Sequence, residues 1–245
     1  MIGSVARRPR DVAALALVGA IAWVGVLWFV RGSAMSMGST MGLSILGFLG
    51  AWTLMMAAMM LPAVSPVAAL YVRSFGGSGG RRLAEFALGY VMVWAAIGVP
   101  AFAAALAVDS LSMAQAGGLR WGVVGVLLAV AVYQLTPLKR LCLEHCRSPL
   151  SQLLHYAGYQ GPLRDLRVGA HHGLYCAGCC WPLFLLLVAV GTMNLGAMLV
   201  LTIVIASEKL LPHGLAISRV TAATAVVLAA VFTASPAVFS RLTGL

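Results

Sequence analysis

The sequence predicts an all-α polytopic membrane helix bundle, one transmembrane domain over its 245 residues. Three observations predict it. Hydrophobic residues make up 62% of the chain and charged residues only 9%, whereas a soluble domain carries about 25% charged residues. The apolar residues gather into runs of roughly 20, the length of a helix that crosses a bilayer. Lys and Arg number 16 against 6 acids, and they stand in short clusters between those runs. Such clusters read as cytoplasmic anchors and form no stripe that would line a nucleic-acid groove. A soluble enzyme, a disordered tail and a nucleic-acid binder are excluded; the lipid bilayer is the first partner.

Seven segments meet the length test: 12–30, 42–72, 83–108, 119–138, 170–190, 195–211 and 216–239. The first follows Arg7, Arg8 and Arg10 as a signal peptide would. Its apolar stretch is too long for one and no small-residue cleavage pattern follows Val30, so it reads as a retained helix. The second is overlong and contains Pro62 and Pro66, which predicts one kinked helix whose freed backbone groups find partners nearby. The sixth is short and follows a tight turn at 191–194. With the N-terminus cytoplasmic, the inner segments hold Arg7, Arg8, Arg10, Arg73, Arg81, Arg82, Lys139, Arg140, Arg147, Arg164, Arg167, Lys209 and Arg219, leaving Arg31, Arg120 and Arg241 outside. That asymmetry predicts N-in, C-out in the inner (cytoplasmic) membrane.

Soft donors fall inside these spans. His172, Cys176, Cys179 and Cys180 stand at i, i+4, i+7 and i+8, on one helical face about 100° wide. Thiols and an imidazole on one stripe suit Cu(I), with zinc as the alternative. Met55, Met56, Met59 and Met60 cover about 140° of the second span, with Ala57 and Ala58 opposite. Thioethers are neutral and select Cu(I), so they hold an ion without a fixed charge in lipid. Alone, either pattern also reads as packing: cysteine as a small hydrophobe, methionine as a flexible filler. Both clusters lie near mid-span, which predicts that they face each other.

Two accessory groups extend this line. Met35, Met37 and Met41 lie in the first external loop. At the end of the fourth span, Cys142, His145 and Cys146 share a face if the helix continues past Pro137; the rival reading is a solvated thiol pair beside Arg140 and Arg147. Glu208 and Lys209 read as interfacial ion-pair formers, with each other or with Glu85 and the basic loops. Asp109 reads as a turn residue and His155 and His213 as solvated loop residues. No nucleotide-binding loop, serine elbow or His-Glu-x-x-His occurs.

The run from Ala51 through Met55-Met56-Ala57-Ala58-Met59-Met60 to Pro62, the run Gly169-Ala-His-His-Gly-Leu-Tyr-Cys-Ala-Gly-Cys-Cys-Trp181, and the later Met193-Asn194 and Glu208-Lys209 pairs resemble the signature blocks of a bacterial family of predicted metal-binding integral membrane proteins, sometimes labelled copper chaperones. The resemblance spans the second to the sixth span. It implies metal binding by Met55, Met56, Met59, Met60, Cys176, Cys179 and Cys180.

The reading that follows is a non-enzymatic metal-binding protein handling Cu(I), by transport or by delivery to a membrane cuproenzyme, with a soluble copper chaperone as the other candidate partner. A thiol oxidoreductase built on Cys176-Ala-Gly-Cys179 is the second reading. An accessory subunit of a larger membrane complex is the third.

Overall fold

The computed structural model describes residues 9–32, 38–75, 79–114, 117–192 and 194–243. Met35, Met37 and Met193 lie outside them. Within them the chain forms α1 (Pro9–Gly32), α2 (Ile45–Ser74), α3 (Gly79–Ala114), α4 (Gly118–Gln134), α5 (Pro137–Arg147), α6 (Pro149–Ala157), α7 (Arg164–Val190), α8 (Leu195–Leu210), α9 (Gly214–Ala234) and α10 (Pro236–Thr243), with no strand.

Five of these helices, α1, α2, α3, α7 and α9, are long and apolar enough to cross a membrane, and a sixth crossing results if α4 and α5 form one bent span. The expectation of seven spans is therefore too high. The fourth breaks because Thr136 and Pro137 restart the helix: the Thr136 hydroxyl accepts from the Lys139 amide at 3.2 Å, and Pro137 takes the first turn, where its missing N–H costs nothing. The axis bends there by 67°. The sixth expected span is α8, only 16 residues, or about 24 Å of helix against a hydrocarbon core of about 30 Å. The seventh stops at Ala234, and Pro236 opens the separate α10.

α5 is amphipathic and departs from the line of a span. Lys139, Cys142, Leu143 and Cys146 are buried on one face, while Arg140 and Glu144 pair at 2.8 Å on the exposed face. A helix of that kind lies against a bundle with its polar side outward. Burial turns Cys142 and Cys146 from a solvated pair into inward-facing thiols.

The core is built around α3 and α7, which make the most extensive helix contact, with α2 between α1 and α3. Gly89 and Gly169 permit it: a Cβ on Gly169 would stand 2.0 Å from the Phe86 carbonyl oxygen, and one on Gly89 2.0 Å from that of Leu166. Backbones this close exclude any side chain.

Two internal prolines are compensated by side-chain hydroxyls. Pro66 removes the amide that would bond the Pro62 carbonyl, and the Ser65 hydroxyl donates to that oxygen at 2.8 Å. Pro182 likewise frees the Gly178 carbonyl, which accepts the Tyr133 hydroxyl from α4. α2 and α7 run antiparallel and touch through long side chains: Trp52 meets Phe184 edge-on at 6.2 Å, and the Tyr71 hydroxyl donates to Asp165 at 2.5 Å.

Candidate metal centre

The candidate donors are interior. Met55, Met56, Met59 and Met60 are at most 1% exposed, and His172, Cys176, Cys179 and Cys180 at most 2%. Helical periodicity puts each set on one side of its helix, and both sets are buried within the protein. All five cysteines are free.

The α7 thiols fold back on their own helix. Cys179 and Cys180 donate to the Cys176 carbonyl oxygen at 3.0 and 2.9 Å. The Cys176 sulfur instead faces outward from α7, 2.8 Å from the Tyr90 hydroxyl of α3 and 2.7 Å from the Lys209 ammonium of α8. The same ammonium lies 3.9 Å from the Met60 thioether. One cation thus touches a sulfur from each of the two predicted stripes. Of the sulfurs named in the sequence, Cys176 and Met60 are the pair that this contact joins.

Cys146 comes toward the centre from α5, buried on the helix that packs against α7. Cys142 lies nearby, its sulfur 3.0 Å from where a Cβ on Gly178 would stand. His145 departs from both: its ring stacks on Tyr175 at 3.7 Å and 18°. His172 shares a 3.2 Å hydrogen bond with the Tyr156 hydroxyl. Burial pushes the Tyr156 hydroxyl well above the ordinary phenol range, so it remains protonated.

Met41 belongs to the opposite end, in a left-handed turn (φ 58°). Asp109 gathers that loop, accepting from the amides of Ser39 and Thr40 at 2.5 and 3.1 Å and from the Thr40 hydroxyl at 2.7 Å. Asp109 sits in α3, so it fastens a neighbouring loop instead of starting a turn of its own.

Glu208 and Lys209 do not serve as an interfacial pair. Adjacent helical residues point about 100° apart, so they find different partners. Glu208 bonds the Lys139 ammonium at 2.6 Å, with both side chains 1% exposed. Lys139 also donates to the Cys179 carbonyl at 2.6 Å, and Gln134 donates to Glu208 at 2.8 Å. Ser218 donates to Gln134, and Arg147 reaches the Glu208 carbonyl at 2.9 Å. Glu85 pairs with Arg81 on its own helix. Sequence reasoning missed Lys139 and the sulfur contact of Lys209; an ionisable residue facing a bundle interior was the available signal.

Among the described residues, no three His, Cys, Asp or Glu side chains are set where they would hold a metal ion. The thioethers fall outside that set, and the thiols are engaged with the Cys176 carbonyl and Lys209. Beside the centre lies a cavity of about 340 Å³, lined by Trp52, Trp94, Ala177, Trp181 and Phe184 among others. Its walls are apolar and offer an ion nothing.

The sequence matches the PpoB2 family, described as copper chaperone, over residues 49–232. The chain belongs to this family, and its interior soft donors lie within the matched region. No curated protein and no solved structure matches it.

Proposed function

We propose that this member of the copper chaperone family holds Cu(I) inside the membrane, on thiols of α7 and thioethers of α2, and passes it to a membrane cuproenzyme. The observation that carries the reading is the Lys209 ammonium resting on both Cys176 and Met60. A monovalent cation already occupies the meeting point of the two stripes, and Cu(I) is a monovalent cation with far higher affinity for sulfur.

The chemistry follows from the setting. A bare charge at the bilayer centre costs on the order of 2.5–3.5 kcal/mol on insertion scales. A Cys176 thiolate neutralises the ion, and Met60 and Met59 add donors without charge. Cys179 and Cys180 exchange weak bonds to a carbonyl for bonds to copper. His172 and Cys146 border the same space. The sequence carries no nucleotide-binding loop, so in this reading the ion moves by exchange between ligand sets, and the charge asymmetry of the sequence favours an N-terminus in the cytoplasm.

The test is elemental analysis of the detergent-purified protein after loading with Cu(I) under reducing conditions. Cys179→Ser lowers bound copper sharply, because a hard hydroxyl replaces a soft thiol. Met59→Leu lowers it less, since a neutral donor is lost while volume is kept. Unchanged copper in Met59→Leu/Met60→Leu, together with a trapped Cys176–Cys179 disulfide in the wild type, replaces this reading with the thiol oxidoreductase.

A further inference from the structure

At the end of the bundle where α5, α6 and the start of α7 meet, three histidines from three helices form one cluster. His155 stacks on His171 with ring centres 4.8 Å apart and planes at 26°, and His145 meets His171 edge-on at 5.6 Å. Tyr156, Tyr159 and Tyr175 surround them, each within 6 Å of the His171 ring centre. His145 Nε2 and His171 Nδ1 are buried without a hydrogen-bond partner among the described residues. A buried ring nitrogen with no partner is costly and calls for a ligand. His155, by contrast, is exposed.

The cluster leads inward. Tyr156 follows His155 in the chain and bonds His172, and His172 lies one helical turn before Cys176. Imidazoles at the exposed mouth thus give way, over two turns of α7, to buried sulfur.

We propose that His145, His155 and His171 form a second, nitrogen-donor copper site, a way station through which Cu(I) reaches or leaves the thiols. The proposal rests on the copper reading above. Neutral imidazole binds Cu(I) more weakly and exchanges faster than thiolate. A site at a mouth needs that property, because an ion held too tightly there does not move on. The rings stack instead of converging, so capture requires rotation of His155 and His171, and the terminal torsion of histidine is broad. Arg164 borders the cluster, donating to the Tyr156 carbonyl at 3.4 Å, and its positive charge opposes long residence of a cation there.

The experiment uses the full chain in detergent, free of any polyhistidine tag, with Cu(I) supplied from a chromophoric chelator under reducing conditions. In Cys176→Ser/Cys179→Ser/Cys180→Ser, one weaker equivalent remains, and X-ray absorption gives a first shell of nitrogen without short copper–sulfur distances. Adding His155→Ala/His171→Gln removes that equivalent, with affinity falling at least tenfold. In the otherwise native chain the same histidine pair slows filling of the sulfur site severalfold and leaves its final occupancy unchanged. His155→Ala alone, at an exposed position, gives the same change in smaller measure and guards against a folding defect in the double variant. The proposal is overturned if the triple serine variant binds no nitrogen-ligated copper, or if the histidine pair leaves that equivalent intact. Failure of the sulfur reading looks different: native protein with no sulfur in its copper shell, whatever the histidines do.

Discussion

Two inward-facing cations, Lys139 fully buried and Lys209 partly so, are treated in opposite ways. Lys139 is locked among oxygens: Glu208, the Cys179 carbonyl and, through Glu208, Gln134 and Ser218. The ammonium has two oxygen acceptors, one of them a carboxylate, and four helices, α4, α5, α8 and α9, are tied to α7 through it. Lys209 rests on sulfur, with a thiol at 2.7 Å and a thioether at 3.9 Å. Ammonium is a hard, strongly hydrated cation, and soft sulfur replaces its water poorly. The first arrangement is closed and holds the helices; the second is open to exchange. The difference shows how one short segment of α8 both fixes the position of α7 and leaves its thiols available.

The comparison breaks most visibly at Glu208. Glu208→Ala leaves a buried ammonium without its counter-charge, and such losses cost about 3–5 kcal/mol. Thermal unfolding in detergent will show a large drop in midpoint, or the protein will fail to accumulate. Lys139→Leu/Glu208→Leu removes both charges and recovers most of the loss, since apolar replacement of a buried pair is often neutral. If the double variant is no better than the single one, the pair does more than cancel charge.

Lys209→Leu is the contrasting case. The thiol left behind can keep its proton and pack as a small hydrophobe, so the loss is at most about 2 kcal/mol. Copper held at saturation is unchanged, because Lys209 donates no ligand. Unfolding and elemental analysis on the same sample check both statements. A stability loss as large as that of Glu208→Ala would make Lys209 a second structural lock and erase the distinction.

Much of this centre was legible from spacing. A 3.6-residue period sorts Met55 to Met60 and His172 to Cys180 onto faces, and burial of those faces follows from it. The α5 region was not legible in the same way. Lys139 reads as one more basic anchor after a span, because in sequence it follows an apolar run and precedes Arg140. Only the bend at Thr136–Pro137 turns it inward, and it carries Cys146 toward Cys176 with it. The threonine–proline pair is itself a helix-start signal, outweighed by the hydropathy of the run before it. His155 and His171 escaped for another reason: separated by a turn at 158–163, they meet only through tertiary packing.

The smallest effect isolates the joint between the two regions. Pro182 cannot bond the Gly178 carbonyl, and the Tyr133 hydroxyl from α4 donates to it instead. That bond lies on the turn of α7 that carries Cys179 and Cys180, next to the Cys179 carbonyl held by Lys139. Tyr133→Phe keeps the edge-on contact with Trp181 at 5.3 Å and removes only the hydroxyl, so the cost is about 1 kcal/mol for an unpaired buried carbonyl. The proline makes a sharper statement possible. In a Pro182→Ala background the helix supplies its own amide to Gly178, and the hydroxyl becomes redundant. Tyr133→Phe therefore costs about 1 kcal/mol in the native chain and close to nothing beside Pro182→Ala, a coupling that a double-mutant cycle in thermal unfolding reads directly. Equal losses in both backgrounds would mean that Tyr133 supports α7 through its ring alone, and that this turn of α7 is held by the Lys139 contact.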